Sequence, residues 1–404
     1  MEKRNCIIGQ SGGPTVAINS SLAGIIDGAT ASCQFDHIYG MLNGIEGLLN
    51  YEISNLSHPF SEFNKIEQLK RTPAMYLGSC RFKLNPEDTP LLDKIFKILD
   101  HLKITDFFYI GGNDSMDTIL TLSDYAKSIQ SDIHFVGVPK TIDNDLMGTD
   151  HTPGFGSAAK YIATVMLEVI YDSMIYNKQS VTIVEIMGRN AGWLTAAAAL
   201  AKTDSIPGVD LIYLPELPFS TEKLIQSIQE LFQSGKQQIV IAVSEGIKNQ
   251  AGDYISNGDI SASLDAFGHI SRSGVGRVLE SLVSDFFGCK VRSIEINVLQ
   301  RSSMHCASKT DLTEAFTIGR SAVNAALQNE TGIVMTYKRK PGSSYSVEIQ
   351  WVDVHKVANL EKLVPREWIN AAGNHVNGTM INYLLPLIQG EVLLDYKNGI
   401  PNYL

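Results

Sequence analysis

A chain of 404 residues, 44% of them hydrophobic, is long enough to fold into two domains with separate cores. Its formal net charge of −10 has no long run of either sign, which argues against a nucleic-acid partner because such surfaces need clustered Lys and Arg. Five scattered cysteines without a C-x-x-C pair favour neither a disulfide framework nor a zinc site. No signal peptide or apolar membrane-spanning segment is present. We therefore expect a soluble cytoplasmic protein without a membrane partner.

The first predicted unit is a buried strand, a glycine turn and a helix. Asn5–Gly9 reads as the strand, Ser11–Thr15 contains Gly12 and Gly13, and Ile18, Leu22 and Ile25 follow at helical spacing. This arrangement can direct backbone N–H groups and the positive end of a helix at an anion. Many parallel-sheet proteins begin in the same way without binding a ligand there, so the pattern alone leaves both readings open.

A small-residue turn, Gly78–Lys83, places Arg81 after two small residues and a cysteine. A guanidinium in such a turn is well suited to binding phosphate oxygens. The composition of the turn is equally typical of a surface loop that carries an unspecialised arginine.

A second strand, Phe107–Ile110, leads into Gly111 and Gly112 and then into Asn113-Asp114-Ser115, where a helix is predicted to begin. The two glycines allow a ligand to approach the backbone closely. The alternative is a well-capped joint between strand and helix. A glycine pair followed within two residues by a carboxylate, Asp114, favours a phosphate and metal site.

The densest polar segment, Pro139–Asp145, follows the apolar run Phe135–Val138. Asp143 could accept a proton from a substrate hydroxyl while Asp145 holds a hydrated cation, and Lys140 supplies a positive charge nearby. The spacing is equally compatible with an Asx-rich turn whose carboxylates cap the following chain.

The next segments repeat the order strand, loop and helix. Val181–Ile186, Leu211–Leu214 and Ile239–Val243 are predicted strands, and Ala158–Met174 and Leu194–Ala201 are predicted helices. This order predicts a parallel, doubly wound sheet, in which ligands bind at the carboxyl ends of the strands. Arg189 and Glu245 fall at those ends.

Arg292 and Arg301 bracket an apolar run and could both reach one phosphate ester, although two surface arginines at the ends of a strand would give the same pattern. Further on, a helix to Leu327 and strands near Ile333–Thr336 and Val347–Val352 are predicted. Glu361–Leu404 contains no motif that points to chemistry.

Three segments together, Gly111–Ser115, Pro139–Asp145 and Met187–Arg189, resemble the 6-phosphofructokinase family, and the match spans roughly Asn5 to Ala325 in order. The resemblance implies two Rossmann-like α/β domains with the active site in the cleft between them. It implies a phosphoryl-donor domain over residues 1–150, a fructose 6-phosphate domain over 151–300, and a C-terminal segment over 301–404 that returns across both.

The resemblance also assigns roles to individual residues. It makes Asp143 the base for the sugar 1-hydroxyl and places Thr141 beside the transferred phosphoryl group, and Lys140 and Asp114 are the further expected catalytic residues. It implies Mg²⁺ between Asn113 and Asp145, although an amide is the weaker, neutral ligand. The expected sugar-phosphate contacts are Thr141, Ile142, Asp143, Met187, Gly188, Arg189, Glu245, Arg292 and Arg301, and the expected diphosphate contacts are Gly12, Gly13, Arg81 and Gly112.

Two positions point to the pyrophosphate-dependent branch of the family. The ATP-using branch is similar but has glycine at the positions of Asp114 and Lys140. A carboxylate at 114 would oppose a nucleotide α-phosphate in space and charge, and a lysine at 140 would stabilise the leaving phosphate. The resemblance further implies a reversible reaction and a homo-oligomer, either a dimer or a tetramer.

Three alternatives are weighed against this interpretation. ATP-dependent sugar phosphorylation is the nearest. A dinucleotide-binding oxidoreductase is disfavoured because Gly12-Gly13-Pro14 does not fit G-x-G-x-x-G. A non-catalytic relative that only binds sugar phosphate is disfavoured because Asp143, Asp145 and Arg189 are all present.

Overall fold

The structure is a computed structural model that describes residues 4–256, 274–342 and 344–404. Its strands are β1 (Arg4–Gln10), β2 (Phe35–Met41), β3 (Ile53–Asn55), β4 (Ile104–Gly111), β5 (His134–Pro139), β6 (Ser180–Ile186), β7 (Leu211–Tyr213), β8 (Gln238–Ser244), β9 (Lys290–Glu295), β10 (Ile333–Arg339), β11 (Val347–Asp353), β12 (Tyr396–Lys397) and β13 (Ile400–Pro401). Its α-helices are α1 (Ile18–Ser32), α2 (Gly44–Leu49), α3 (Phe63–Lys70), α4 (Thr89–His101), α5 (Asn113–Ser128), α6 (Phe155–Ser173), α7 (Trp193–Ala196), α8 (Thr221–Gln233), α9 (Val275–Phe287), α10 (Leu299–Ser302), α11 (Lys309–Leu327) and α12 (Gly378–Leu384). Short 3₁₀ helices span Ala197–Leu200, Met304–Cys306, Val354–Lys356, Arg366–Trp368 and Leu385–Ile388.

The larger sheet has seven strands in the order β11-β10-β5-β4-β1-β2-β3. Pairing is parallel from β2 through β1, β4 and β5 to β10, and the two edge strands, β3 and β11, are antiparallel to their neighbours. Most residues of β1, β4 and β5 are buried, as expected for strands covered by helices on both faces.

Helices α1 and α11 cover one face of this sheet, and α4 and α5 pack in the core on the other face. The close approach of α1 to α11 depends on glycine. A Cβ on Gly24 would lie 2.0 Å from the Phe316 carbonyl oxygen, and a Cβ on Gly319 would lie 2.2 Å from that of Ser21. Only hydrogen fits at these two crossings, so the two helix backbones can touch.

The smaller sheet is fully parallel, with the order β7-β8-β6-β9. Helices α6 and α7 pack in the core on one face, and α8 and α9 pack in the core on the other. The predicted α/β architecture with doubly wound parallel sheets is therefore confirmed. The predicted helix from Leu194 to Ala201 is divided between α7 and a 3₁₀ helix, and β3 was not predicted because a three-residue edge strand has too little hydrophobic pattern.

Residues that follow α11 contribute to both halves of the molecule. Strand β10 joins the larger sheet beside β5, with Ile333 opposite Val136. Helix α12 instead packs Met380 and Leu384 into the core of the smaller sheet. The domain boundaries at residues 150 and 300 stay a prediction. None of the helices in the described ranges is long and apolar enough to cross a membrane.

Candidate active site

A cavity of about 640 Å³ lies where the loops that follow β1, β4 and β5 face the loops that follow β6 and β8. The carboxyl ends of parallel strands are the usual position for a ligand in such sheets. The first-sheet wall consists of Gly12, Gly13, Arg81, Gly112, Asn113, Asp114, Lys140, Thr141, Ile142, Asp143 and Asp145, and the second-sheet wall consists of Met187, Arg189, Glu245 and Arg301.

Lys140 is almost fully buried in the first-sheet wall, with 2% of its surface exposed. Its ammonium donates to the carbonyl oxygens of Ser11 at 2.8 Å and Gly13 at 2.6 Å. Gly12 has φ +79°, and a Cβ there would lie 3.3 Å from the ammonium, so this turn requires glycine. Burial lowers the pKa of Lys140 to about 7, although the charges of Asp143 and Asp145 oppose this shift.

Asn113 and Asp114 occupy the first turn of α5, directly after Gly112. The Asn113 side chain is held by a downstream segment: its amide donates to the Leu360 carbonyl oxygen at 2.9 Å, and its oxygen accepts from the Asn359 N–H at 2.7 Å. Both polar atoms of Asn113 therefore have partners within the protein, and its role as a metal ligand stays a prediction. Asp114 lines the cavity.

The carboxylates of Asp143 and Asp145 line the cavity together, while Ile142, Asn144 and Leu146 between and beside them are buried. Burial raises the pKa of Asp143, against the lowering effects of Arg189 and Lys140. Burial also raises the pKa of Asp145 to about 7, with further contributions from the negative charges of Asp143 and Glu361. A cation beside Asp145 would relieve this repulsion.

The carboxylate oxygens of this loop fit a hard divalent cation such as Mg²⁺, which prefers oxygen ligands and retains several waters. Asp145 is the carboxylate best suited to hold it, with Glu361 also lining the cavity. Within the described part of the chain, no group of three or more His, Cys, Asp or Glu side chains is arranged to hold a metal. The remaining ligands would therefore be water and substrate oxygens.

The second-sheet wall is built by close contact between backbone segments. A Cβ on Gly246 would lie 1.8 Å from the Arg189 carbonyl oxygen, and the Met187 N–H donates to the Gln300 side chain at 3.2 Å. Burial raises the pKa of Glu245 to about 7, while the Gly188 N–H, 3.4 Å from its carboxylate, lowers it. The pKa of the Glu245 carboxyl group in this wall is therefore near neutral pH.

Two arginines of this wall have unsatisfied donors. The Nε atoms of Arg189 and Arg301 are buried and have no hydrogen-bond partner among the residues that the structure describes. A buried donor without a partner is costly. Both arginines also line the cavity, where a guanidinium group is suited to binding an anionic ligand. Burial and the nearby charge of Arg81 also lower the pKa of Arg301.

The structure brings together nearly all of the predicted site residues. Those that line the cavity are Gly12, Gly13, Arg81, Gly112, Asn113, Asp114, Lys140, Thr141, Ile142, Asp143, Asp145, Met187, Arg189, Glu245 and Arg301. Gly188 lies just behind them, bonded to Glu245 and Ser244. Arg292 is not among the lining residues: it lies on β9, half exposed, with its guanidinium 2.9 Å from the Asp172 carboxylate.

The prediction that Arg292 and Arg301 could both reach one phosphate ester is not met within this chain, because Arg301 lines the cavity whereas Arg292 pairs with Asp172 outside it. The sequence reading also missed several lining residues, namely Pro14, Thr15, Ser115, Asn190, Ala191, Asn359, Leu360 and Glu361. Asn190 and Ala191 directly follow the predicted Met187–Arg189 motif, which was a usable signal. Residues 359–361 gave no local signal, because their place in the site depends on long-range contacts.

Comparison with known proteins agrees with this geometry. The Phosphofructokinase family model matches residues 5–325. A protein of Methylococcus capsulatus named pyrophosphate–fructose 6-phosphate 1-phosphotransferase is 35% identical, and the alignment covers 100% of this chain and 96% of the relative. A protein of Xanthomonas campestris with the same name is 37% identical, with the same coverage.

A solved structure gives the same result at the level of the fold. The crystal structure of a pyrophosphate-dependent phosphofructokinase from Nitrosospira multiformis is 34% identical, has a TM-score of 0.88, and covers 99% of this chain and 96% of its own. Because the family model matches most of the chain and full-length relatives are more than 30% identical to it, this chain is a member of the phosphofructokinase family.

Proposed function

We propose that this chain catalyses reversible transfer of a phosphoryl group from pyrophosphate to the 1-hydroxyl of fructose 6-phosphate, giving fructose 1,6-bisphosphate and phosphate. One observation carries the proposal: Asp143 lines the same cavity as Lys140 and Asp114 on one side and Arg189 and Arg301 on the other. The names of the full-length relatives point to the same reaction.

Asp143 is proposed as the base. The bond that forms joins the sugar O1 to phosphorus, the bond that breaks joins phosphorus to the bridging oxygen of pyrophosphate, and the hydroxyl proton goes to the Asp143 carboxylate. A carboxylate whose pKa is raised by burial is a better proton acceptor near neutral pH than an exposed one. Proton transfer of this kind contributes about 10²- to 10⁴-fold to the rate.

The first-sheet wall is proposed to bind pyrophosphate. Gly12 and Gly112 allow the ligand to approach the backbone, and Arg81 and Lys140 provide positive charge. Thr141 borders the transferred group. Asp114, at the first turn of α5, opposes the α-phosphate that ATP would bring and thereby favours the inorganic donor.

Asp145 is proposed to hold Mg²⁺, with Glu361 close enough to raise the Asp145 pKa by its charge. When bound, the cation neutralises charge on the phosphate oxygens during transfer. Asp145 contributes the orientation of that cation relative to Asp143, which lies two residues earlier on the same loop.

The second-sheet wall is proposed to bind fructose 6-phosphate. The guanidinium groups of Arg189 and Arg301 would bind its anionic oxygens, and Glu245 and Ile142 would border the sugar. Because Arg292 lies outside the cavity of its own chain, its proposed contact with sugar phosphate requires a second subunit. We therefore propose a homo-oligomer, a dimer or tetramer, that acts in the cytoplasm.

The decisive experiment measures turnover of fructose 6-phosphate by the purified protein with Mg²⁺ and either pyrophosphate or ATP. We expect turnover with pyrophosphate and little or none with ATP. Turnover with ATP alone would assign the chain to the ATP-dependent reaction. Sugar-phosphate binding without turnover on either donor would instead support a non-catalytic relative.

A further inference from the structure

The segment of residues 359–364, here called the crossing segment, contacts three loops of the cavity in succession. Its first contact is with α5, at the end of β4. The Asn359 N–H donates to the Asn113 side chain at 2.7 Å, and the Asn359 side chain donates to Asp117 at 2.8 Å. Asn113 donates in return to the Leu360 carbonyl oxygen at 2.9 Å. The start of α5 is thus tied to the crossing segment through three hydrogen bonds.

Its second contact is with the loop that follows β5. The Lys362 N–H donates to the Asp145 carbonyl oxygen at 2.7 Å. The Lys362 ammonium donates to the Asn144 side chain at 3.2 Å and to the carbonyl oxygens of Thr149 at 3.1 Å and Asp150 at 2.8 Å. An ammonium has three donors, and all three are used on this one loop.

Asn144 explains why these bonds bear on the chemistry. It lies between Asp143 and Asp145 with φ +54°, in the left-handed conformation that Asn adopts more readily than most L residues. Its fully buried amide donates to the Tyr383 hydroxyl at 2.8 Å, and that hydroxyl donates to the Asp150 carbonyl oxygen at 2.7 Å. Lys362 and Tyr383 therefore hold the turn that directs both carboxylates into the cavity.

The third contact is with the segment that follows β6. The Trp193 indole N–H donates to the Lys362 carbonyl oxygen at 2.8 Å, and the Lys362 ammonium lies 5.2 Å from the centre of the Trp193 ring. The Asn190 amide donates to the Glu361 carboxylate at 2.7 Å. Lys362 is thus bonded both to the loop of the carboxylates and to the residue that begins α7.

The Glu216 carboxylate strengthens this third contact. One of its oxygens accepts from the Gly192 N–H at 2.8 Å and from the Val364 N–H at 3.0 Å. The crossing segment is therefore attached to the second-sheet side of the cavity at Glu361, Lys362 and Val364.

From these contacts we propose that the crossing segment is a positioning element of the active site, in which Lys362 and Tyr383 fix the turn at Asn144 and so set the placement of Asp143 relative to both walls. This inference deepens the proposed function and rests on it for its kinetic consequence. It assigns a role to residues beyond the portion of the chain that the family model matches. Neither Lys362 nor Tyr383 lines the cavity, so both act through Asn144 and Asp145.

The test compares Lys362→Met with a matched control, Lys160→Met. Lys160 also donates to two carbonyl oxygens, those of Ala307 at 3.3 Å and Gly390 at 2.7 Å, but it does not line the cavity. We expect Lys362→Met to lower kcat about 100-fold, since misplacement by about 1 Å can cost that much. KM for both substrates should stay within about 3-fold because the binding side chains remain. Lys160→Met should retain wild-type kcat.

A second readout does not depend on the reaction. Hydrogen exchange at the amides of Asp143 and Asp150 should be faster in Lys362→Met than in the wild type, and unchanged in Lys160→Met. Tyr383→Phe, which removes only the hydroxyl, should show the same two effects at a smaller size, about 10-fold in kcat. It carries the test if Lys362→Met does not fold.

Each outcome is decisive. If both Lys362→Met and Tyr383→Phe match the wild type in kcat and in exchange, the positioning role is wrong. If kcat and KM change together and exchange rises throughout the chain, Lys362 is merely structural and the proposal is also wrong. A wild type inactive with pyrophosphate overturns the proposed function, and exchange at Asp143 and Asp150 then decides the positioning role alone.

Discussion

The two walls of the cavity differ in how their cationic side chains are satisfied by the protein. In the first-sheet wall, the Lys140 ammonium already donates to the carbonyl oxygens of Ser11 and Gly13. In the second-sheet wall, the Nε atoms of Arg189 and Arg301 are buried without partners in the described part of the chain. The Lys140 side chain is therefore held by the protein before a ligand binds, whereas Arg189 and Arg301 each keep one buried donor without a partner in the described part of the chain.

This difference suggests how the two substrates are handled. A lysine that holds the glycine turn contributes both to the shape of the site and to its charge, so changing it should affect folding as well as binding. Arginines with unpaired donors contribute little to the fold and cost free energy in the empty site. Changing them should affect ligand binding selectively.

The largest expected effect lies between the walls. Asp143→Ala should lower kcat by about 10²- to 10⁴-fold because it removes the proposed proton acceptor. Fructose 6-phosphate should still bind, since Arg189 and Arg301 remain, and calorimetric titration can measure this. Unchanged turnover would remove Asp143 from the mechanism, whereas loss of both turnover and binding would point to misfolding.

The next largest effect is expected from a substitution in the second-sheet wall. Arg301→Ala should raise KM for fructose 6-phosphate about 10- to 200-fold, as expected for the loss of a charge-assisted bond worth about 1.5–3 kcal/mol. KM for pyrophosphate should change much less, and initial-rate kinetics with each substrate varied in turn can separate the two.

Arg320→Ala is the matched control for this experiment. Arg320 pairs with Asp27 at 3.1 Å on the surface formed by α1 and α11 and does not line the cavity. The Arg320→Ala variant should have the same KM as the wild type for both fructose 6-phosphate and pyrophosphate. If Arg301→Ala raised the KM for pyrophosphate more than that for the sugar phosphate, the assignment of the two walls would be reversed.

A smaller effect is expected in the first-sheet wall, where the titration of Lys140 makes the free energy of unfolding depend on pH. Lys140 has a pKa of about 7 in the folded chain and about 10.5 when unfolded, so between these values the unfolded state binds more protons. The free energy of unfolding of the ligand-free wild type, relative to Lys140→Met, should therefore rise as pH increases from 7 to 10. The slope should not exceed about 1.4 kcal/mol per pH unit, and urea titrations across this pH range measure it.

The same loss of the Lys140 proton that stabilises the folded state at higher pH should weaken the binding of pyrophosphate. Above pH 7 the ligand-free site loses the Lys140 charge, so KM for pyrophosphate should rise with pH more steeply in the wild type than in Lys140→Met. Identical pH slopes in the two proteins would show that the buried ammonium does not bind the donor.

The smallest expected effect concerns the choice of donor. Asp114→Gly should permit weak turnover with ATP because it removes a carboxylate from the cavity wall without disturbing Lys140. Asp114→Gly combined with Lys140→Gly should relax the exclusion further but lower stability by about 1–3 kcal/mol, because the Ser11 and Gly13 carbonyl oxygens lose their donor. Nucleotide binding no better than wild type in either variant would contradict the steric argument.

Much of this protein was readable from short stretches of sequence. The order of strand, glycine turn and helix predicted the parallel sheets, and the Pro139–Asp145 segment predicted a polar loop at a strand end. These features depend on neighbouring residues: an apolar run forms a strand, glycine permits a tight turn, and residues that follow a parallel strand reach the ligand edge of the sheet. For the same reason, Asp114, Lys140 and Asp143 could be expected in one cavity.

Only the tertiary structure decided how these pieces are held in place. No local sequence pattern predicts that Asn113 bonds to residues 359 and 360, or that Arg292 lies outside the cavity of its own chain. The same is true of the hydrogen bonds that join Asn144 to Lys362 and Tyr383. Hydrogen bonds between residues far apart in the chain depend on how both sheets and the C-terminal residues pack, and that arrangement leaves no periodicity in the sequence. The local motifs therefore predicted which side chains line the cavity, whereas long-range contacts determine how those side chains are held.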